Sequence, residues 1–262
     1  MSWDLLFGFV GEVNFGPSFL IGVGAYTAAL LNHYAGWPIW ACTLSGGAAS
    51  IVAGLALAVP ALRLSGPYFG LVTLVAVLML QNIIVLFAGI TGGEIGLDLP
   101  DVLAVDDSNN YWIALVFMGV SGLLLFGLSR SAVGLILQAS GQDAIQAGAL
   151  GFNVTKHKLA AFCVSALFSG LAGAMLIFYE GTASVGTVVD IAVGVQVIIA
   201  AVLGGRRTII GAALGAIFLI GMGEILRPLG EASTFVVSGI ALLAIMIAPS
   251  GFLGAWLSRE GR

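Results

Sequence analysis

The chain has 262 residues, of which 60% are hydrophobic and 8% charged, with a formal net charge of −4. A soluble domain carries about 25% charged residues, so this chain cannot cover a water-facing surface. A soluble enzyme or a basic nucleic-acid binder is excluded, and lipid must cover most of the molecule.

A spanning helix needs about 20 mostly apolar residues. The opening stretch, Trp3 to Gly16, is apolar but broken by Glu12, Asn14 and Gly16. It reads either as an amphipathic N-terminal stub, which its composition favours, or as a re-entrant piece enclosed by protein. It is not basic and its apolar run is too short for a cleavable signal. Candidate spans follow at 15–34, 38–59, 67–90, 111–129, 159–179, 191–204, 209–226 and 233–249. The sixth is short, so it either starts earlier, near Val185, or dips in part way. The long apolar runs lack a period of two and argue against a β-barrel. The expected fold is an all-α polytopic transmembrane bundle of about eight segments, one of them short or re-entrant. It forms one domain over residues 1–262, with an acidic loop at 91–110 and an insert at 131–158.

Placing 91–110 outside and alternating puts every Lys and Arg inside except Arg227. That is the orientation favoured by the positive-inside rule, provided the sixth segment crosses. Glu94, Asp98, Asp101, Asp106 and Asp107 crowd the outer loop. Small residues recur every four positions: Gly46, Ser50, Gly54 and Ala58 in one segment, Ala166, Gly170 and Ala174 in another, and Gly211 with Gly215 in a third. Such stripes let helix backbones approach closely, either inside the chain or at a subunit contact. Cys42 and Cys163 lie within apolar segments and imply no disulfide framework.

In the insert, Ser140-Gly141-Gln142-Asp143 fits a capping Ser followed three residues on by an acid. Asp143 then falls in the first turn, where the helix dipole favours it, and Gly151 stands where a glycine cap belongs. A short surface helix over 141–150 is predicted; the alternative is a connecting loop with one helical turn.

No catalytic constellation is visible. His33 and His157 stand apart with no ligand set around them, and Gly204-Gly205-Arg206-Arg207-Thr208 lacks the spacing of a phosphate loop. If ATP drives this protein, another chain binds it. The few polar residues within apolar segments should face the bundle interior or a wet path. Gln196 is the first candidate for lining one, with Asn14, its neighbour Phe15, Thr73 and Gln81. For Gln81 and Asn82 a helix–helix hydrogen bond is an equal alternative. Glu224 and Arg227 are spaced for an i,i+3 ion pair. The residues leave open an ion-coupled transporter or channel acting alone, or a membrane scaffold.

Several passages together resemble one family. GEVNFGPSFLIGVGAYTAALL (11–31), LRLSGPYFGLVTL (62–74), ITGGEIGL (90–97), QDAIQAGALGFNVTKHKLAAFCVSALFSGLAGA (142–174), VLGGRRTIIGAALGA (202–216) and APSGFLGA (248–255) are similar, in order and spacing, to the LivM-type permease subunits of branched-chain amino acid ABC importers. The wider group includes urea and sugar permeases. The resemblance implies an inner-membrane subunit without enzyme activity or cofactor of its own. It would pair with a homologous LivH-type subunit to enclose a pathway, receive solute from a periplasmic binding protein, and dock on two ATPase subunits that hold ATP and Mg. By position, the docking (coupling) helix is Gln142 to Gly151, with Asp143, Ala144, Ile145, Ala147 and Leu150 at its core. Two departures stand out. Pro17 replaces a usual His, and Leu137, Gln138, Ser140 and Gly141 stand where arginines are common. The resemblance also implies a further spanning helix before Gly11, so a short or truncated form is expected.

Overall fold

The computed structural model describes residues 1–62, 67–103 and 107–229, and the isolated positions 239, 240, 246 and 251. The expected span 233–249, most of the passage 248–255, and Arg63, Asp106, Glu231, Arg259 and Arg262 lie outside the described residues.

Helix α1 (Ser2–Asp4) runs directly into a π-helical segment, Leu5–Val10. Gly11, at φ 78°, ends it. Residues 11–16 are not helical, and Pro17 then opens α2 (Pro17–Ala35) at its first turn, where its missing N–H costs nothing. Helices α3 (Ile39–Ala61), α4 (Pro67–Leu86) and the short α5 (Ala88–Thr91) follow. Next come α6 (Asp107–Arg130), α7 (Ala132–Gln142), α8 (Ala144–Ala149) and α9 (Val154–Glu180). The chain continues through α10 (Val185–Val188), α11 (Ile191–Gly204) and α12 (Ile210–Ile225) to a 3-10 turn at Arg227–Leu229.

Among the described residues, five stretches are long and apolar enough to cross a membrane: Ile39–Ala61, Tyr68–Leu86, Ser108–Arg130, Val154–Glu180 and Val185–Gly204. The last joins α10 to α11, so the sixth expected segment does begin near Val185. Helix α12 is a shorter apolar helix. Helix α2 is not among the five; it packs on both α3 and α9, which also pack on each other, and a helix packed against protein need not be as apolar as one facing lipid. The molecule is an all-α polytopic membrane protein.

The small-residue stripes are used inside the chain rather than at a subunit contact. Gly46, Ser50, Gly54 and Ala58 of α3 are all buried, as are Ala166, Gly170 and Ala174 of α9. A methyl group at Gly24 would overlap the backbone of Gly170, and one at Gly46 would meet the Gly24 carbonyl. Ser50 adds a buried hydrogen bond of 2.9 Å to the Leu20 carbonyl. The third stripe seats α12 on α11, since a side chain at Gly211 or Gly215 would strike the Gly204 or Ala200 carbonyl.

One end of this bundle gathers around the 90–103 loop. Strand β1 (Leu97–Asp98) pairs antiparallel with β2 (Thr182–Ala183), just past the end of α9. Leu99 and Leu103 donate their amides to Gly181 and Phe178. From the end of α2, Asn32 donates to Asp101 (2.8 Å) and His33 Nδ1 to the Asp98 carbonyl (3.0 Å). Sequence periodicity gave no hint of the strand pair, because two residues per strand carry no alternation. Helix α9 has 27 residues and is therefore about 40 Å long at 1.5 Å per residue. The 131–158 insert and the 90–103 loop accordingly occupy opposite ends of the bundle.

The opening stretch is not a peripheral stub, as its composition favoured. Trp3, Leu5, Leu6, Phe9 and Val10 are buried, and Asp4 is 0% exposed. Among the described residues, the insert holds two helices rather than one over 141–150, with the break at Asp143. The pair Glu224–Arg227 forms as spaced, at 3.0 Å.

Candidate functional site

The insert end of the molecule is built around α8. Ser140 does not cap it: Ser140 is buried, and α7 continues through it to Gln142. Asp143 is the cap itself, not a first-turn residue. Its Oδ1 accepts from the amides of Ile145 and Gln146, both at 2.9 Å. The reason lies outside the insert. A side chain at Gly141 would overlap the carbonyl of Phe9, so the end of α7 is fixed against the opening segment and the new helix can start only after it. The glycine cap is as expected: Gly151 has φ 89° and follows Leu150. Asn153 then caps α9, accepting from Lys156 N at 3.0 Å.

The expected docking residues are thus brought together on one small protrusion. Ala147 faces inward and is buried. Gln142, Ala144, Ile145, Leu150 and Gly151 face outward, with Ile145 85% and Leu150 75% exposed. Large apolar side chains held this far out, beyond the ends of α6 and α9, form a surface suited to a protein partner.

The opening segment lies directly beneath. Asp4 accepts three backbone N–H groups of the α11–α12 junction, from Arg207 (3.1 Å), Thr208 (3.1 Å) and Ile209 (3.0 Å). Burial pushes its carboxyl up from the ordinary range, and these hydrogen bonds partly oppose that rise. Arg207 and Ile209 have positive φ, 64° and 45°. Such a conformation in a β-branched residue needs firm support, which the Asp4 carboxylate supplies. Arg207 Nε also donates to the Gly8 carbonyl at 2.8 Å, and Arg206 lies over the Phe7 ring. None of this was foreseen from the sequence. The one available signal was an acid inside an apolar run, which must find a partner if it is buried.

Of the residues expected along a path, three meet. Asn14 is buried; its Oδ1 accepts from Gly16 N at 2.8 Å and its carbonyl from Trp3 Nε1 at 2.6 Å. It therefore shapes the non-helical turn. Phe15, 42% exposed, donates its amide to Thr73 Oγ1 at 3.0 Å. Gln81 lies eight residues beyond Thr73 on α4, about 12 Å along the helix, and donates to the Val189 carbonyl at 3.4 Å. Asn82 bonds back to Leu78 of its own helix. Gln196 stands exposed on α11 and makes no hydrogen bond to the other four. Replacing Thr73 by Val keeps the shape and removes the acceptor of the Phe15 amide. Thermal unfolding should register a loss of about 1–2 kcal/mol; an unchanged midpoint would mean the turn holds without it.

The family model described as branched-chain amino acid transport system / permease component matches residues 1–248. The high-affinity branched-chain amino acid transport system permease protein LivM of Salmonella typhimurium is 30% identical across 97% of this chain and 66% of its own length. The chain thus spans slightly less than two thirds of that relative. BraD of Pseudomonas aeruginosa, a permease protein of the same kind of system, is 26% identical, over 97% of this chain and 90% of its own. LivH of Escherichia coli is 24% identical, over 97% and 89%. No solved structure matches the chain.

Proposed function

The chain belongs to the branched-chain amino acid transport permease family, and from that membership we propose that it is the membrane-spanning permease subunit of an ABC importer. It forms half of a translocation pathway, with a homologous LivH-type subunit as the other half. The solute is a branched-chain amino acid or a similar small polar molecule. The chain catalyses no reaction; two ATPase subunits hold ATP and Mg and dock on α8. The membrane is the bacterial inner membrane, crossed by about eight segments. The 90–103 loop, where Glu94 and Ile95 stand exposed, faces outward toward a solute-binding protein.

The observation that carries this reading is α8 itself: a capped protrusion with Ile145 and Leu150 exposed, at the end of the bundle opposite the acidic loop. The basic residues support the same orientation, because Arg130, Lys156, Lys158, Arg206 and Arg207 gather at the insert end. Reconstituted with its ATPases, the chain should support ATP-driven uptake. Asp143→Arg combined with Leu150→Asp removes the cap and the apolar contact, so ATP hydrolysis should separate from uptake while the spans still assemble. Full transport by that variant, or uptake by the purified chain without ATPases, would overturn the reading; the second result would establish the autonomous-transporter alternative.

A further inference from the structure

We propose that Glu12 and Lys158 are positioning residues that tie the docking helix to the non-helical turn at Asn14–Gly16. This inference rests on the docking role proposed for α8 and adds the route by which movement there reaches the centre of the bundle.

Helix α8 is anchored on both flanks, and both anchors grip the same short piece of chain. On its N-terminal side, Gly141 lies against the backbone of Phe9, Val10 and Gly11, too close for any side chain. On its C-terminal side, Lys158 of α9 forms an ion pair with Glu12, Nζ to Oε1 at 2.6 Å. The two side chains are only 18% and 17% exposed. A pair shielded to that degree is screened little by salt, and removing one partner strands the other.

Two residues beyond Glu12 the chain enters the turn that positions Phe15. That turn is held to α4 through the Phe15 amide and Thr73 Oγ1, and a side chain at Gly16 would strike the Thr73 carbonyl. The route is therefore continuous: α8, its two flanks, residues 9–12, the 14–16 turn, and α4. Coupling of this kind is carried by chains of packed groups, hydrogen bonds and ion pairs, and here each link is a close backbone contact, a hydrogen bond or an ion pair. On the other side of the same segment, Asp4 grips the 207–209 loop, so a displacement of residues 9–12 reaches α11 and α12 as well.

The test uses the complete reconstituted importer and measures solute moved per ATP hydrolysed. Glu12→Gln keeps the shape and removes the charge. It should leave assembly and ATP hydrolysis intact while transport per ATP falls about tenfold. The reversed pair, Glu12→Lys with Lys158→Glu, should recover to within about threefold of wild type, because the interaction rather than either residue is what matters. A Glu12→Gln variant with wild-type transport per ATP would overturn the tether while the ATP-driven uptake of the wild type still supports the importer reading. A variant that loses assembly, or a reversed pair that recovers nothing, would make the residues merely structural and also overturn it. Wild-type uptake that ignores ATP would remove the importer reading itself, and the tether with it.

Discussion

Asp4→Ala should be the most damaging single substitution in the opening segment. Three backbone N–H groups, from Arg207, Thr208 and Ile209, lose their acceptor at once. The site is buried, so water does not readily replace the carboxylate. Each stranded donor costs on the order of 1–3 kcal/mol, and the positive φ of Ile209 loses its support. A total loss of about 3–5 kcal/mol is expected even if one donor finds water. Asp4→Asn should fall between Ala and wild type. Its carbonyl oxygen can take the place of Oδ2, which serves Thr208 and Ile209, but its amide group then faces the Arg207 N–H. Thermal unfolding of the detergent-solubilised protein ranks the three variants. An Ala variant as stable as wild type would show that the junction holds itself.

Gly24→Val should be comparably severe for a different reason. The glycine of α2 faces the backbone of Gly170 in α9, while Gly46 of α3 packs against the Gly24 carbonyl. Three helices meet near this point through backbone atoms and the small side chains of Ser50 and Ala174. Backbone atoms cannot rotate away as a side chain can, so even a methyl group forces the helices apart and opens gaps on either side. A cost of about 3 kcal/mol or more follows, at the upper end of overpacking effects. Gly119→Ala is the control. It lies in α6 with nothing within 4 Å of an added methyl, so it should be neutral or stabilise by up to about 1 kcal/mol. If both substitutions shifted the unfolding midpoint equally, close packing would not be the cause.

Much of the architecture could be read directly because a bilayer restricts what a chain can do. Apolar runs must become helices to satisfy their own backbones, so helices appear close to where the hydropathy places spans within 1–229, five of them long and apolar enough to cross a membrane. The stripes at 46, 50, 54, 58 and at 166, 170, 174 were equally visible, since a period near four selects one helix face. Their partner was not. Only packing shows that the two stripes face each other, Gly54 at Ala166 and Gly170 at Ser50, with Gly24 of α2 set against both Gly46 and Gly170.

The protrusion around α8 was located by sequence but not resolved by it. Ser140 and Asp143 are both able to cap a helix, and local preference does not separate them. The choice was made by residues 9 and 10, far away in the chain, whose backbone leaves room only for Gly141. The opening segment differs in the same way. Its composition slightly favours a loose stub over a buried insert. What the structure added were its partners: Leu5, Leu6, Phe9 and Val10 pack with Leu125, Leu137 and Phe162, Asp4 meets three amides at 207–209, and Glu12 meets Lys158. Apolar periodicity and chain length alone therefore determined which segments are helical and membrane-type, because lipid imposes that condition on each segment separately. The tertiary structure decided which polar groups pair, since a buried charge or amide is satisfied only by a specific partner and that partner lies elsewhere in the chain.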